Sequence, residues 1–329
     1  MNAKTGTSSP PVRVLVTGST GQIGSELVPA LRRRYGKENV VSGYYPEPVN
    51  LPTDSGPSEY LDATDNAEVH DVVKEYRIDT IYHLGGVLSA AGEKHPSVAW
   101  RVNVEGLHNI LEAARDIDGA RVFWPSSIAV FGADVPRDSV PQETPLVPVT
   151  IYGITKVAGE LLCNYYSARY GVDVRSLRYP GIISSETPPG GGTTDYAVEM
   201  FYRAIERKQY TCFVRKDTVL PMLYMPDCIR ATLELMEADP SRLTLRTGYN
   251  LGGLRFSAEE LAEEIRKHIP DFVCDFNPDF RQRIADSWPR SLDDGLARRD
   301  WGWMPSYDLA SMVNDMVKNL SRKLARPET

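Results

Sequence analysis

The stretch VRVLVTGSTGQIG (12–24) constrains the fold more than any other part of the chain. A β-branched run ends in glycine, glycines recur at Gly18, Gly21 and Gly24, and a helical pattern, QIGSELVPALRRRY, begins at once. A strand that turns on glycines directly into a helix is the opening of a βαβ unit. Such a turn lets backbone approach a pyrophosphate closely, and the helix N-terminus offers unbonded N–H groups and a positive dipole. Gln22 and Ile23 stand where those N–H groups would be presented.

The rhythm continues downstream. NVVSG (39–43), EYLDAT (59–64), DTIYHLGG (79–86), RVFWPSS (121–127) and DVRSLRYPG (173–181) read as further strands. Helical stretches lie between them, notably 68–76, 97–116 and about 152–170. This alternation predicts an α/β fold: a doubly wound parallel Rossmann sheet with right-handed crossovers. After Gly181 the texture changes, and SSETPPGGGTTD (184–195) reads as a loop. The expected division is a disordered tail (1–10), a dinucleotide-binding domain (11–181, with parts of 217–252 returning to it), and a smaller C-terminal substrate lobe (182–216 and 253–329).

Composition excludes several classes. With 329 residues, 42% hydrophobic and 25% charged, the chain can bury an ample core. A net charge of −7 gives no footprint for nucleic acid. No run approaches the ~18 apolar residues a membrane helix needs. The four cysteines and five histidines show no metal-ligand spacing, so no metal is expected, and the thiols read as reduced and intracellular. Cytoplasm and mitochondrial matrix both remain open.

The chemistry concentrates in YGITK (152–156). Tyr152 and Lys156 are four residues apart and share a helix face. A free tyrosine ionises near pH ~10, so a neutral-pH base needs a fall of about three units, roughly 4 kcal/mol. An adjacent ammonium and a bound nicotinamide cation both favour phenolate. SSIAVFG (126–132) adds two hydroxyls, Ser126 and Ser127, that can hold a substrate alcohol. At the end of the second strand, where an acid usually holds the adenosine ribose, stands Tyr44, and no Arg or Lys lies between Val40 and Ser58. Asp62 either meets the adenine edge or caps the helix after it.

TGSTGQIG, SSIAVFG and YGITK together resemble the extended short-chain dehydrogenase/reductase superfamily of NAD-dependent epimerases and dehydratases. Longer runs, including HLGGVLSAAGE (83–93), LRYPGIISSETPPGGGTTDYAVEMFY (177–202) and SWPRSLDDGLARRDWGW (287–303), resemble its short-chain L-threonine 3-dehydrogenases over nearly the whole chain after the first ten residues. The resemblance implies NAD as cofactor and oxidation of L-threonine at the β-carbon to 2-amino-3-oxobutanoate. Tyr152 would be base, Lys156 its activator and ribose anchor, Ser127 the hydroxyl clamp and Asn103 the support of the proton relay. It further assigns Ala63, Leu84, Gly85, Gly86, Tyr179 and Ile182 to the cofactor, and Ser89, Ser126, Thr193 and Thr194 to the substrate. It implies a homodimer through the two long helices. Members usually carry Asp where Tyr44 stands, which leaves the grip on the ribose open. The alternatives are a nucleotide-sugar epimerase or reductase of the same superfamily, for which Arg215 is the evident diphosphate grip, and a non-catalytic dinucleotide sensor.

Overall fold

Val14 and Val16 in the first strand pack with Leu27, Val28 and Leu31 on one side, while Leu15 between them packs with Leu107 and Leu111 on the other. Alternate residues of a strand face opposite ways, so a strand apolar at every position must be covered on both faces. The computed structural model, which describes residues 12–46 and 56–325, meets that demand with helices on both sides of the sheet. The expected N-terminal tail lies outside the described residues.

Six strands appear in the expected order: β1 (Val14–Thr17), β2 (Val40–Tyr44), β3 (Ser58–Tyr60), β4 (Thr80–His83), β5 (Arg121–Ser127) and β6 (Asp173–Tyr179). Further along come β7 (Gly181–Ile183), β8 (Gln209–Cys212), β9 (Val219–Tyr224), β10 (Tyr249–Asn250), β11 (Leu254–Ser257) and β12 (Val273–Phe276). The large sheet has seven parallel strands in the order β10-β6-β5-β4-β1-β2-β3. The winding reverses between β1 and β4, and ligands of such sheets bind beyond the strand C-termini at that reversal. The smaller lobe carries the sheet β11-β9-β7 and the pair β12-β8, around a core of its own that includes Tyr196, Phe201, Phe256 and Met316.

Two differences from the sequence expectation bear on the site. The run 173–181 is not one strand. Pro180 has no N–H to give to a ladder, so β6 stops at Tyr179 and Gly181 enters the other sheet. The single amphipathic stretch at 97–116 is two α-helical pieces, Pro96–Trp100 and Gly106–Arg115, joined by a π-helical turn at Arg101–Glu105. Such turns often mark functional positions, and Asn103 lies in this one.

The Ile151–Tyr170 helix starts on Thr150, whose hydroxyl accepts from the Gly153 N–H at 3.1 Å. A Cβ on Gly153 would stand 2.2 Å from the Ala129 carbonyl oxygen. Glycine there lets the helix press against the chain leaving β5, which brings Tyr152 to Ser127.

Candidate active site

Gly18 has φ 68°, and a Cβ on it would fall 2.6 Å from the Gly85 nitrogen. The β1 and β4 ends are thus seated backbone on backbone, and only glycine fits. The N–H groups of Gln22 and Ile23, at the mouth of the Gly24–Tyr35 helix, make no hydrogen bond among the described residues. Unbonded donors beside a side-chain-free turn fit a pyrophosphate. The Gln22 side chain reaches over to the Ile182 carbonyl at 3.4 Å.

A cavity runs from Gly18, Gly85 and Gly86 toward Asp62 and Ala63. Asp62 lines the cavity, and its carboxylate accepts from the Thr64 N–H and hydroxyl, each at 2.8 Å, without capping the following helix. The helix cap itself is Asp65. Tyr44 does not line this cavity. It stacks edge-on with Tyr60, and Tyr45 and Pro46 take the expected place. Tyr45, one residue past the end of β2, also packs on Tyr60, with ring centres 5.4 Å apart. His83 closes the floor, paired with the Thr17 hydroxyl at 2.6 Å and held neutral by burial, which pushes it down to about 3.

The second cavity joins Ser127, Tyr152 and Lys156 with Leu84, Gly86 and Ile182 on the cofactor side. Ser127 ends β5, its hydroxyl accepts from the Ala129 N–H at 3.2 Å, and it lines the cavity beside Tyr152. The Lys156 ammonium donates to the Pro125 carbonyl at 2.6 Å and lies 5.5 Å from the Tyr152 ring centre. Burial raises Tyr152 to about 12, against the Ser127 hydrogen bond, and lowers Lys156 to about 8. The expected pull toward phenolate is therefore not present in the protein alone. The ammonium faces the carbonyl and the ring rather than the phenol oxygen, and desolvation dominates. Asn103 acts at one remove. It holds Val87 through both backbone groups and donates to the Thr155 hydroxyl at 3.0 Å, which in turn donates to the Tyr152 carbonyl at 2.8 Å.

Ser89 and Thr193, 104 residues apart in sequence, share a hydrogen bond at 3.0 Å on the far wall of this cavity, with Thr194 beside them. Ser126 also lines it, but its hydroxyl donates to Glu160 at 2.5 Å, so that hydroxyl is already committed. Tyr179 shows the cavity its body only; its hydroxyl bonds to Thr232 behind. Among the lining residues not singled out from sequence are Asp195 and Trp288. The Asp195 carboxylate accepts from Gly191 and Gly192 N–H groups at 2.8 Å and is raised by burial. An acid ending the GGGTTD run was the available signal; the arrival of Trp288 from another lobe had none.

The family model for the NAD dependent epimerase/dehydratase family matches residues 14–252. The chain belongs to that family. It is an oxidoreductase whose cofactor is NAD, and the cradle described above fits one. An uncharacterized epimerase/dehydratase of Staphylococcus haemolyticus (strain JCSC1435) is 46% identical over 313 residues, 94% of this chain and 98% of that one. A structure described as the holo form of a GalE-like L-threonine dehydrogenase from Cupriavidus necator is 50% identical, with TM-score 0.91, covering 94% of this chain and 99% of that one. A structure described as a monomeric L-threonine 3-dehydrogenase from a metagenome, in its apo form, is 49% identical with TM-score 0.91 and the same coverage.

The cradle gives a direct test. Gly18→Ala forces a side chain into a positive-φ position against the Gly85 backbone. NAD affinity measured by calorimetry is expected to fall at least tenfold, about 1.4 kcal/mol, with the fold retained by circular dichroism. Unchanged affinity would mean that the turn does not carry the cofactor.

Proposed function

We propose that the protein oxidises L-threonine at its β-carbon to 2-amino-3-oxobutanoate, a step of threonine catabolism. The observation that carries this reading is the single cavity uniting Ser127, Tyr152 and Lys156 with Ser89, Thr193, Thr194 and Asp195. Threonine is a small zwitterion with one alcohol. Hydroxyls can meet its carboxylate, a carboxylate can meet its ammonium, and the trio can meet its alcohol. The names of the similar solved structures support the same substrate.

When bound, NAD⁺ supplies the acceptor for the hydride and a positive charge beside the phenol. Tyr152 takes the proton of the alcohol. Lys156 favours the phenolate and holds the nicotinamide ribose. Ser127 holds the alcohol oxygen in line. Asn103 fixes the helix that carries Tyr152. Ser89 and Thr193, 3% and 1% exposed, keep water from the substrate's polar end.

A nucleotide-sugar reading finds less support. Diphosphates are gripped by cations, and among the described residues Lys156 is the only cationic side chain lining the cavity. Arg215 is engaged with Asp286 at 2.7 Å and with Asp217 at 3.4 Å. A sensor has no use for the complete trio.

Threonine with NAD⁺ is expected to yield NADH absorbance, while UDP-sugars give no turnover. Tyr152→Phe should lower kcat by several orders of magnitude, with NAD binding kept. A mutant retaining a tenth of the rate, or turnover of UDP-sugars, would overturn the assignment.

The oligomer is a second inference. Val98 and Trp100 on one helix, and Ile154, Leu161 and Tyr165 on its neighbour, are 42–65% exposed. A contiguous apolar face of this kind fits a second copy of the chain. The metagenome relative is described as monomeric, so light scattering decides. A dimer mass that drops to monomer in Leu161→Glu is expected, and a wild-type monomer contradicts it.

A further inference from the structure

Arg101 opens the π-helical turn and is exposed. It lines the cavity that runs from Gly18 and Gly85 to Asp62 and Ala63, and its guanidinium makes no hydrogen bond or ion pair among the described residues. Asn103, two places on, accepts from the Val87 N–H at 2.7 Å and donates to the Val87 carbonyl at 3.1 Å. Those two bonds pin the turn to the chain leaving β4, so a fixed piece of backbone delivers the cation to the rim of the cavity.

A guanidinium of this kind recognises oxyanions, phosphate above all. The pyrophosphate of a dinucleotide has its donors elsewhere: Gln22 and Ile23 line the other cavity, with Leu84 and Ile182. The cavity that holds Arg101 is walled by Tyr45, Pro46, Leu61 and Ala63 and suits the adenosine end. In that half of a dinucleotide the one further anion is a phosphate on the ribose 2′-oxygen. Sheets of this type hold an unmodified ribose with an acid at the end of the second strand, and accommodate the 2′-phosphate with an arginine nearby. Here β2 ends on Tyr44, Tyr45 follows it, and no acid stands at either position. The acid that does line the cavity, Asp62, comes after β3 rather than β2, and its Oδ1 accepts from Thr64 twice. His83 is held neutral, at about 3, by burial. Among the described residues Arg101 is thus the one cation lining this cavity.

We propose that the cavity also takes the 2′-phosphorylated dinucleotide NADP⁺, with Arg101 as the residue that meets the added phosphate. NAD keeps its place as cofactor, and Arg101 widens the choice. The segment 40–58 holds no Arg or Lys for this task. The cation that serves comes instead from the π-helical turn, which the fold brings into the same cavity as Tyr45.

Calorimetry of NADP⁺ and NAD⁺ binding to the full chain, with threonine absent, is the test. Wild type is expected to bind NADP⁺ within about tenfold of NAD⁺. Arg101→Ala should weaken NADP⁺ roughly 10- to 100-fold more than NAD⁺, as one charge-assisted contact is lost. A second measurement needs no variant. The net charge of −7 repels an added phosphate unless a local cation meets it, so raising the salt should cost NADP⁺ more than NAD⁺ in wild type. Equal losses for the two dinucleotides in Arg101→Ala would put Arg101 on a phosphate they share and overturn the proposal. So would no loss for either, a wild type that does not bind NADP⁺, or a salt dependence no steeper for NADP⁺ than for NAD⁺. Threonine takes no part in these measurements, so a wrong substrate would leave their outcome untouched.

Discussion

The structure depends on one contact, the seating of the Ile151–Tyr170 helix against the end of β5. It puts a phenol and an ammonium into a dry interior, where both are pushed toward their neutral forms. That contact explains the small residue at Gly153, which no larger one could replace without striking the Ala129 carbonyl. It explains why the lysine turns its ammonium to the Pro125 carbonyl at 2.6 Å. On the proposed reading, it also holds the base of the free protein in reserve. Desolvation keeps Tyr152 protonated, and a cation arriving beside it is what can release the proton. In the proposed reaction this arrangement couples the chemistry to cofactor binding.

The second constraint is the break at Pro180. Because β6 cannot continue, the chain leaves the large sheet at the mouth of the site and opens the smaller lobe. The loop that follows is tied back to the cofactor helix by Ser184 on Glu26 at 2.5 Å and by Thr187 with Ser25 at 2.9 Å. Burial raises Glu26 to about 7, consistent with a carboxyl that has exchanged water for a hydroxyl. The same loop then delivers Thr193 to Ser89 and Asp195 to the cavity. One wall of the site is thus built by the first half of the chain and the other by the second.

What the sequence made legible follows from locality. The β1 turn, the Tyr–Lys pair and the serines of β5 are each encoded within a few residues, and alternation of apolar residues on two faces specifies the sheet. Positions at strand ends are harder, because Tyr45, one residue past the end of β2, lines the cavity that Tyr44 was expected to reach. The π-helical turn at 101–105 leaves the apolar pattern nearly unchanged, so it could not be seen. Ser126 looked like a second clamp because its partner, Glu160, is 34 residues away in sequence. Trp288 reaches the cavity only through the packing of the two lobes, which no local pattern records.

The central claim is that Tyr152 becomes a base only when the cofactor's charge is beside it. Ultraviolet difference titration of phenolate, wild type minus Tyr152→Phe, measures this with and without NAD⁺. In the free protein the Tyr152 phenolate should be absent until above the ordinary tyrosine range of about 10. With NAD⁺ bound it should develop about three units lower or more. The same midpoint in both states, or a phenolate already formed near neutrality in the free protein, would contradict the account.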